Sequence, residues 1–154
     1  MAQSFLPVAN TTTMRINPYK VATGQTIAVG DPVELDANGL IIVATATSAT
    51  LAGVAAEACT TAPANTVIGV YDDPKTVFKG KCDNAGQLLQ AVKGDTCDIV
   101  GGTGAFLLNL DATAKNVVRV VALGVERDPL QDGATPGTSA ATVFFEIALH
   151  EFSS

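Results

Sequence analysis

The sequence predicts an all-β fold with at most minor helix, and three observations carry that expectation. Short apolar runs alternate with Gly, Asp, Asn and Pro from Tyr19 onward, the punctuation of a chain that turns every few residues. Asp36-Ala37-Asn38-Gly39 and Asp83-Asn84-Ala85-Gly86 are turn signals, since Asn and Gly accept the positive φ angles of tight hairpins. Near the end, Val143, Phe145, Ile147 and Leu149 alternate with Phe144, Glu146, Ala148 and His150. A period of two with one apolar face is that of a half-buried strand.

Residues 1–17 read as an extended arm ahead of a β-rich domain over 18–154. Asn10-Thr11-Thr12-Thr13 is polar and β-branched, which disfavours a helix, and Pro7 and Pro18 bracket the segment. Phe5, Leu6, Val8, Met14 and Ile16 punctuate it without helical spacing. An arm of this composition either frays in water or lies across a neighbour, and its apolar content favours docking, which makes these five residues and Arg15 beside them candidate interface residues.

In the domain, Tyr19–Ala22, Thr26–Val29 and Val33–Leu35 are short runs, and Leu40–Thr45 returns from the Asn38-Gly39 turn as a hairpin arm. Ser48–Cys59 is open between helix and strand: Leu51, Val54, Ala55 and Ala58 have helical spacing, yet Leu51–Ala55 also suits a strand. Thr66–Tyr71 is a strand that Asp72-Asp73-Pro74 ends. Leu88–Val92 follows the second turn, and a run from Gly94-Asp95 reaches Val100. Gly101-Gly102-Thr103-Gly104 breaks the chain as a turn or bulge before Ala105–Leu110. Asp111–Lys115 suits one helical turn, Asn116–Gly124 a strand, and Asp128–Ser139 a loop. The strand over 141–152 carries Phe144 and Phe152 on its mixed face, and both join the candidate contact residues. Gly30-Asp31…Gly39 echoes Gly94-Asp95…Gly104, a likeness read as chance and not as a repeat.

Hydrophobic residues make up 47% of the 154 and charged residues 16%. So sparse a charge shell points to a surface covered by copies of the chain or by a partner. The net charge is −6, and no Lys or Arg falls between Lys20 and Lys75. Phosphate binding needs clustered cations, so no direct nucleic-acid partner is expected. Apolar runs are too short for a bilayer-spanning helix, the start lacks the pattern of a secretory leader, and no membrane partner is expected. Cys59, Cys82 and Cys97 form no Cys-x-x-Cys motif. Reduced, half-buried thiols fit a protein made in the cytoplasm, with a Cys82–Cys97 bridge as the alternative.

The same residues argue against catalysis. His150 is the single histidine, expected on the surface of a terminal strand. The acids are dispersed, with Asp36, Asp72, Asp73, Asp95 and Asp98 placed as turn residues. The glycine-rich 101–104 segment lacks the lysine of a phosphate loop. No catalytic residue, cofactor site or metal site is assigned.

Tyr19-Lys20-Val21-Ala22, Gly30-Asp31-Pro32-Val33-Glu34-Leu35-Asp36-Ala37-Asn38-Gly39-Leu40 and Leu51-Ala52-Gly53-Val54-Ala55-Ala56-Glu57-Ala58 together resemble the capsid cement proteins of tailed phages, the lambda-like head decoration class. The likeness covers residues 19–58, and the rest of the chain only in its Ala/Gly/Thr-rich style. It implies a compact β-barrel or β-tulip domain with an N-terminal arm. It also implies a virion location on the outer capsid surface, with the major capsid protein and, in a homotrimer, the chain itself as partners. Two other readings stand beside it: a small trimeric β-barrel enzyme with a site between subunits, and a host-surface binding module of a virion.

Overall fold

The computed structural model describes residues 5–8, 15–83, 93–110, 113–123 and 142–151. Its strands are β1 (Leu6–Pro7), β2 (Ile16–Lys20), β3 (Pro32–Leu35), β4 (Ile41–Val43), β5 (Gly53–Ala55), β6 (Val67–Tyr71), β7 (Phe78–Lys81), β8 (Thr96–Val100), β9 (Leu107–Asn109), β10 (Val118–Leu123) and β11 (Thr142–Ile147). There is no helix among the described residues. The fold is all-β, in two antiparallel sheets ordered β2-β6-β5-β3-β4 and β1-β7-β11-β10-β8-β9. Both sheets roll up, and one isolated parallel bridge pinches each: Val21 to Ile41 in the smaller, Cys82 to Leu108 in the larger. Neither closes into the barrel that the resemblance implied.

The turn chemistry works as its residues require. Asp36 Oδ1 accepts from the N–H of Asn38 at 2.8 Å and of Leu40 at 2.9 Å. Gly39 adopts φ +75 between β3 and β4. The 101–104 segment is a turn, with Gly101 at φ +110 and Gly104 at +77. The open question over 48–59 resolves as strand β5. Leu51–Ala55 are all buried; a strand flanked by two others and covered on both faces buries every residue, which a surface helix does not, and this packing overrides alanine's helix propensity. A Cβ at Gly53 would lie 2.2 Å from the Tyr71 carbonyl oxygen, so glycine is what lets β5 lie this close to β6.

Several expectations are corrected. Thr113–Lys115, the described part of the expected helical turn, are not helical. The last strand ends at Ile147, and Leu149 is exposed. His150 is 4% exposed, not on the surface. Beyond β11 the chain runs to the smaller sheet: Leu51 N–H donates to the Leu149 carbonyl at 3.0 Å, and Glu151 N–H to the Leu51 carbonyl at 3.0 Å. Cys82 and Cys97 are buried and not joined in a disulfide, and Cys59 is half-buried. The echo read as chance is structural. Without β1 the two sheets have one strand order, and Gly30-Asp31 and Gly94-Asp95 enter the same strand of each.

Two apolar clusters hold these sheets. Ile27, Val33, Ile41, Ala55, Ile68 and Val70 fill the smaller roll. Phe5, Phe78, Phe106, Leu108, Val120 and Phe145 fill the larger, and Ala44, Leu51 and Val54 join them from the smaller sheet. Each buried Val, Leu, Ile or Phe contributes roughly 1.5–3 kcal/mol by leaving water, and each alanine less, so the shared cluster fastens sheet to sheet.

Candidate functional site

The edge strand β2 has two unlike faces, as alternation along a strand requires. Arg15, Asn17 and Tyr19 point one way, and Ile16, Pro18 and Lys20 the other. On the first face they converge on Asp72, the residue after β6, which is 1% exposed. Arg15 Nε donates to Asp72 Oδ1 at 2.8 Å, and Arg15 Nη2 to its main-chain carbonyl at 3.3 Å. Asn17 Nδ2 reaches Oδ1 at 3.1 Å and Oδ2 at 2.8 Å, and Tyr19 donates its hydroxyl to Oδ2. A carboxylate this buried is stable only when its lone pairs are met. Burial pushes the Asp72 carboxyl up, but the hydrogen bonds from Asn17, Tyr19 and Arg15 outweigh it and hold the group below its ordinary range. Burial, then Asp72, drives the Tyr19 phenol up, so Tyr19 stays a donor. The cluster fixes β2 against β6.

The opposite face is open, with apolar side chains at its two ends and with Lys20 and the Glu57 carboxylate beside Gly69 also on it. Ile16 is 51% exposed and Val67 50%, at the two ends of the β2–β6 pair, with Pro18 opposite Gly69 between them. A Cβ at Gly69 would lie 2.9 Å from Ile16 Cγ2, so Ile16 lies along the space this glycine leaves.

The interface residues expected from the sequence separate into two places. Arg15 and Ile16 sit together at the start of β2, one on each face. Phe5 is 1% exposed, in this chain's own core, with its ring 4.8 Å from that of Phe145 in an edge-on pair. Leu6 and Val8 are half-buried beside β7, where Val8 N–H donates to the Val77 carbonyl at 2.8 Å. Phe144 is 6% exposed; Lys79 pairs with it on one side and with Leu6 on the other. Met14 and Phe152 lie outside the described residues. Sequence reasoning missed Asp72, Asn17 and Tyr19 as a unit, because Asp72-Asp73-Pro74 has the look of a turn; the signal was three polar-tipped side chains at alternate positions. Among the described residues, no group of three or more His, Cys, Asp or Glu could hold a metal ion.

These features define a β-sheet protein with a fixed edge strand and an exposed outer face whose two ends, Ile16 and Val67, are apolar. A family model described as phage cement protein matches residues 8–71, from the end of the first segment to the last residue of β6. The match supports a phage capsid cement, or decoration, protein with a capsid-binding structural role. No curated protein matches the chain.

Proposed function

We propose that the chain attaches to the outer surface of a phage capsid as a homotrimer, contacts the major capsid protein through its N-terminal region, and reinforces the shell. The observation that carries this reading is the cement-family match over the segment that holds β2, together with the exposed Ile16 and Val67 on that strand pair. A trimer multiplies modest contacts, so each chain needs only a small apolar footprint. The clamp at Asp72 lowers the ordering cost of that footprint by holding β2 in place before contact.

The test is co-sedimentation of the purified chain with expanded empty shells of the phage that encodes it, with light scattering for its oligomeric state. Binding, a trimer, and shells that break at a higher temperature are expected. Free chain left in the supernatant overturns the reading. Removing residues 2–16 is not a clean test, because it takes Phe5 out of the core; Ile16→Glu, at a half-exposed side chain, with its melting temperature compared with wild type, is the cleaner one.

A further inference from the structure

The two sheets are the same unit built twice. The smaller follows the order β2-β6-β5-β3-β4 and the larger, without β1, β7-β11-β10-β8-β9: first, fifth, fourth, second and third strand of each segment. The hydrogen bonds repeat atom for atom. Gly30 N–H donates to Ala55 O at 2.9 Å and Ala55 N–H to Asp31 O at 2.8 Å; Gly94 N–H donates to Val120 O at 2.8 Å and Val120 N–H to Asp95 O at 2.9 Å. Gly30 and Gly94 share a positive φ, +93 and +89, which explains why glycine stands at both corners. The pinching bridges correspond too, and after them Ala22 N–H donates to Ile41 O and Asp83 N–H to Leu108 O, both at 2.9 Å.

This correspondence turns the second unit into a control for the first. Lys20 pairs with Val67 as Lys81 pairs with Thr142, and Pro18 with Gly69 as Lys79 with Phe144. In the second unit this face carries two exposed lysines, Lys79 and Lys81, around the buried Phe144, and Lys81 Nζ donates to Thr142 Oγ1 at 2.8 Å. The edge of β7 is covered by β1. In the first unit the places of Lys79 and Thr142 hold Pro18 and Val67, while Lys20 keeps the lysine of Lys81 and Ile16 stands beyond Pro18. Among the described residues no strand pairs with the outer edge of β2 over Ile16–Lys20, and β4 bridges the chain only at Val21. Val21 N–H donates to Thr66 O at 2.8 Å, so by antiparallel alternation Asn17 and Tyr19 bond β6, while Ile16, Pro18 and Lys20 turn their backbone groups outward. One outward donor is missing at Pro18, which discourages pairing of this edge with its own kind.

We infer that the chain is a tandem of two cement units with divided roles: the second is closed by the chain's own β1, and the first keeps its β2 edge and the Ile16–Val67 face for an extended apolar segment of a capsid subunit. The occupant follows from three observations. An extended segment, β1, already sits on the equivalent edge. The cement-family match spans the first unit and stops at Tyr71. The corresponding segment of a second copy is committed to its own core, with Phe5 buried and its N–H bonded to Gly30 O at 2.9 Å. The inference rests on the capsid-binding reading and names the surface that does the binding.

The experiment compares full-length variants for binding to expanded empty shells of the encoding phage, each first checked for an unchanged melting temperature. Ile16→Glu and Lys20→Pro, which removes an outward N–H, should weaken binding about tenfold or more. In the second unit, Lys81→Ala with Thr142→Ala should stay within about twofold, as changes away from the contact do. Wild-type binding that survives both first-unit changes, or falls with the second-unit pair, overturns this assignment while leaving the cement reading standing. Wild type that ignores shells overturns both. Loss of self-association by Ile16→Glu with shell binding intact gives the edge to a second copy and also overturns the assignment.

Discussion

Phe5 fills the space that Gly80 leaves. A Cβ on Gly80 would lie 2.6 Å from Phe5 Cδ1 and 3.3 Å from Phe145 Cε1. At the matching place in the first unit, opposite Ile68 as Gly80 is opposite Val143, stands Tyr19. One unit carries its own aromatic ring on the strand, and the other borrows a ring from the start of the chain.

Phe5 and Gly80 are therefore coupled. Phe5→Ala should cost about 3–5 kcal/mol by leaving a cavity, and Gly80→Ala about 1–3 kcal/mol by overpacking. In the Phe5→Ala background the Gly80→Ala cost should largely vanish, since the clashing ring is gone. Urea unfolding of the four proteins measures the cycle; strict additivity would contradict the contact.

Asp72→Ala should leave Asn17 and Tyr19 without their acceptor and loosen β2. The expected loss is about 2–3 kcal/mol, below the range for a fully buried pair because Arg15 is half exposed. Hydrogen exchange should show Asn17 and Tyr19 amides losing protection ahead of those in β10. Equal loss everywhere would mean that Asp72 supports the whole fold and not this strand.

How much of this was legible in the sequence depends on range. The Asp36–Gly39 hairpin and the Gly101–Gly104 turn are decided by φ requirements inside a few residues, and they were readable. Strand β5 was not, because alanine is neutral in the pattern and only packing between β3 and β6 decides it. The fate of Phe5 depends on a glycine far along the chain, so an apolar residue near the start looked like an anchor for a partner. The duplication was nearly invisible, since the corner needs only Gly-Asp and the other positions tolerate Val21 against Cys82 or Val33 against Cys97. Ile16 at the rim was readable as exposed apolar surface, whereas the Asp72 cluster that positions it was hidden in a turn-like motif.

Stability should fall with acid in two stages. Burial depresses the His150 imidazole below its ordinary 6.5. As pH drops through that value the unfolded chain takes up a proton that the folded chain refuses, so stability is full above it and declines below. The Asp72 carboxyl is held below its ordinary 3.8, so its contribution is present above 3.8 and is lost as pH falls through the lower folded value. His150→Gln should flatten the upper stage alone. Denaturant midpoints across pH 3–8 check this; a midpoint that rises on acidification through the upper stage would contradict it.

The three thiols should differ sharply in reactivity. Burial, with Asp98, Asp83 and Asp95 adding to it, pushes the Cys97 thiol up to about 12, so it stays protonated and unreactive in the folded chain. Cys59 is half-buried, with Sγ 3.7 Å from the Gln25 carbonyl as its donor contact. A thiol reagent near pH 8 should modify Cys59 first and Cys97 only on unfolding. Equal rates in the folded protein would contradict the buried placement of β8.

The most direct measurement is electron cryomicroscopy of expanded shells incubated with the full-length chain. The account predicts added density on the outer surface, with the β2–β6 side of the first unit against the capsid and the second unit away from it. Bare shells, density on the inner surface, or the second unit in contact with the shell would contradict it.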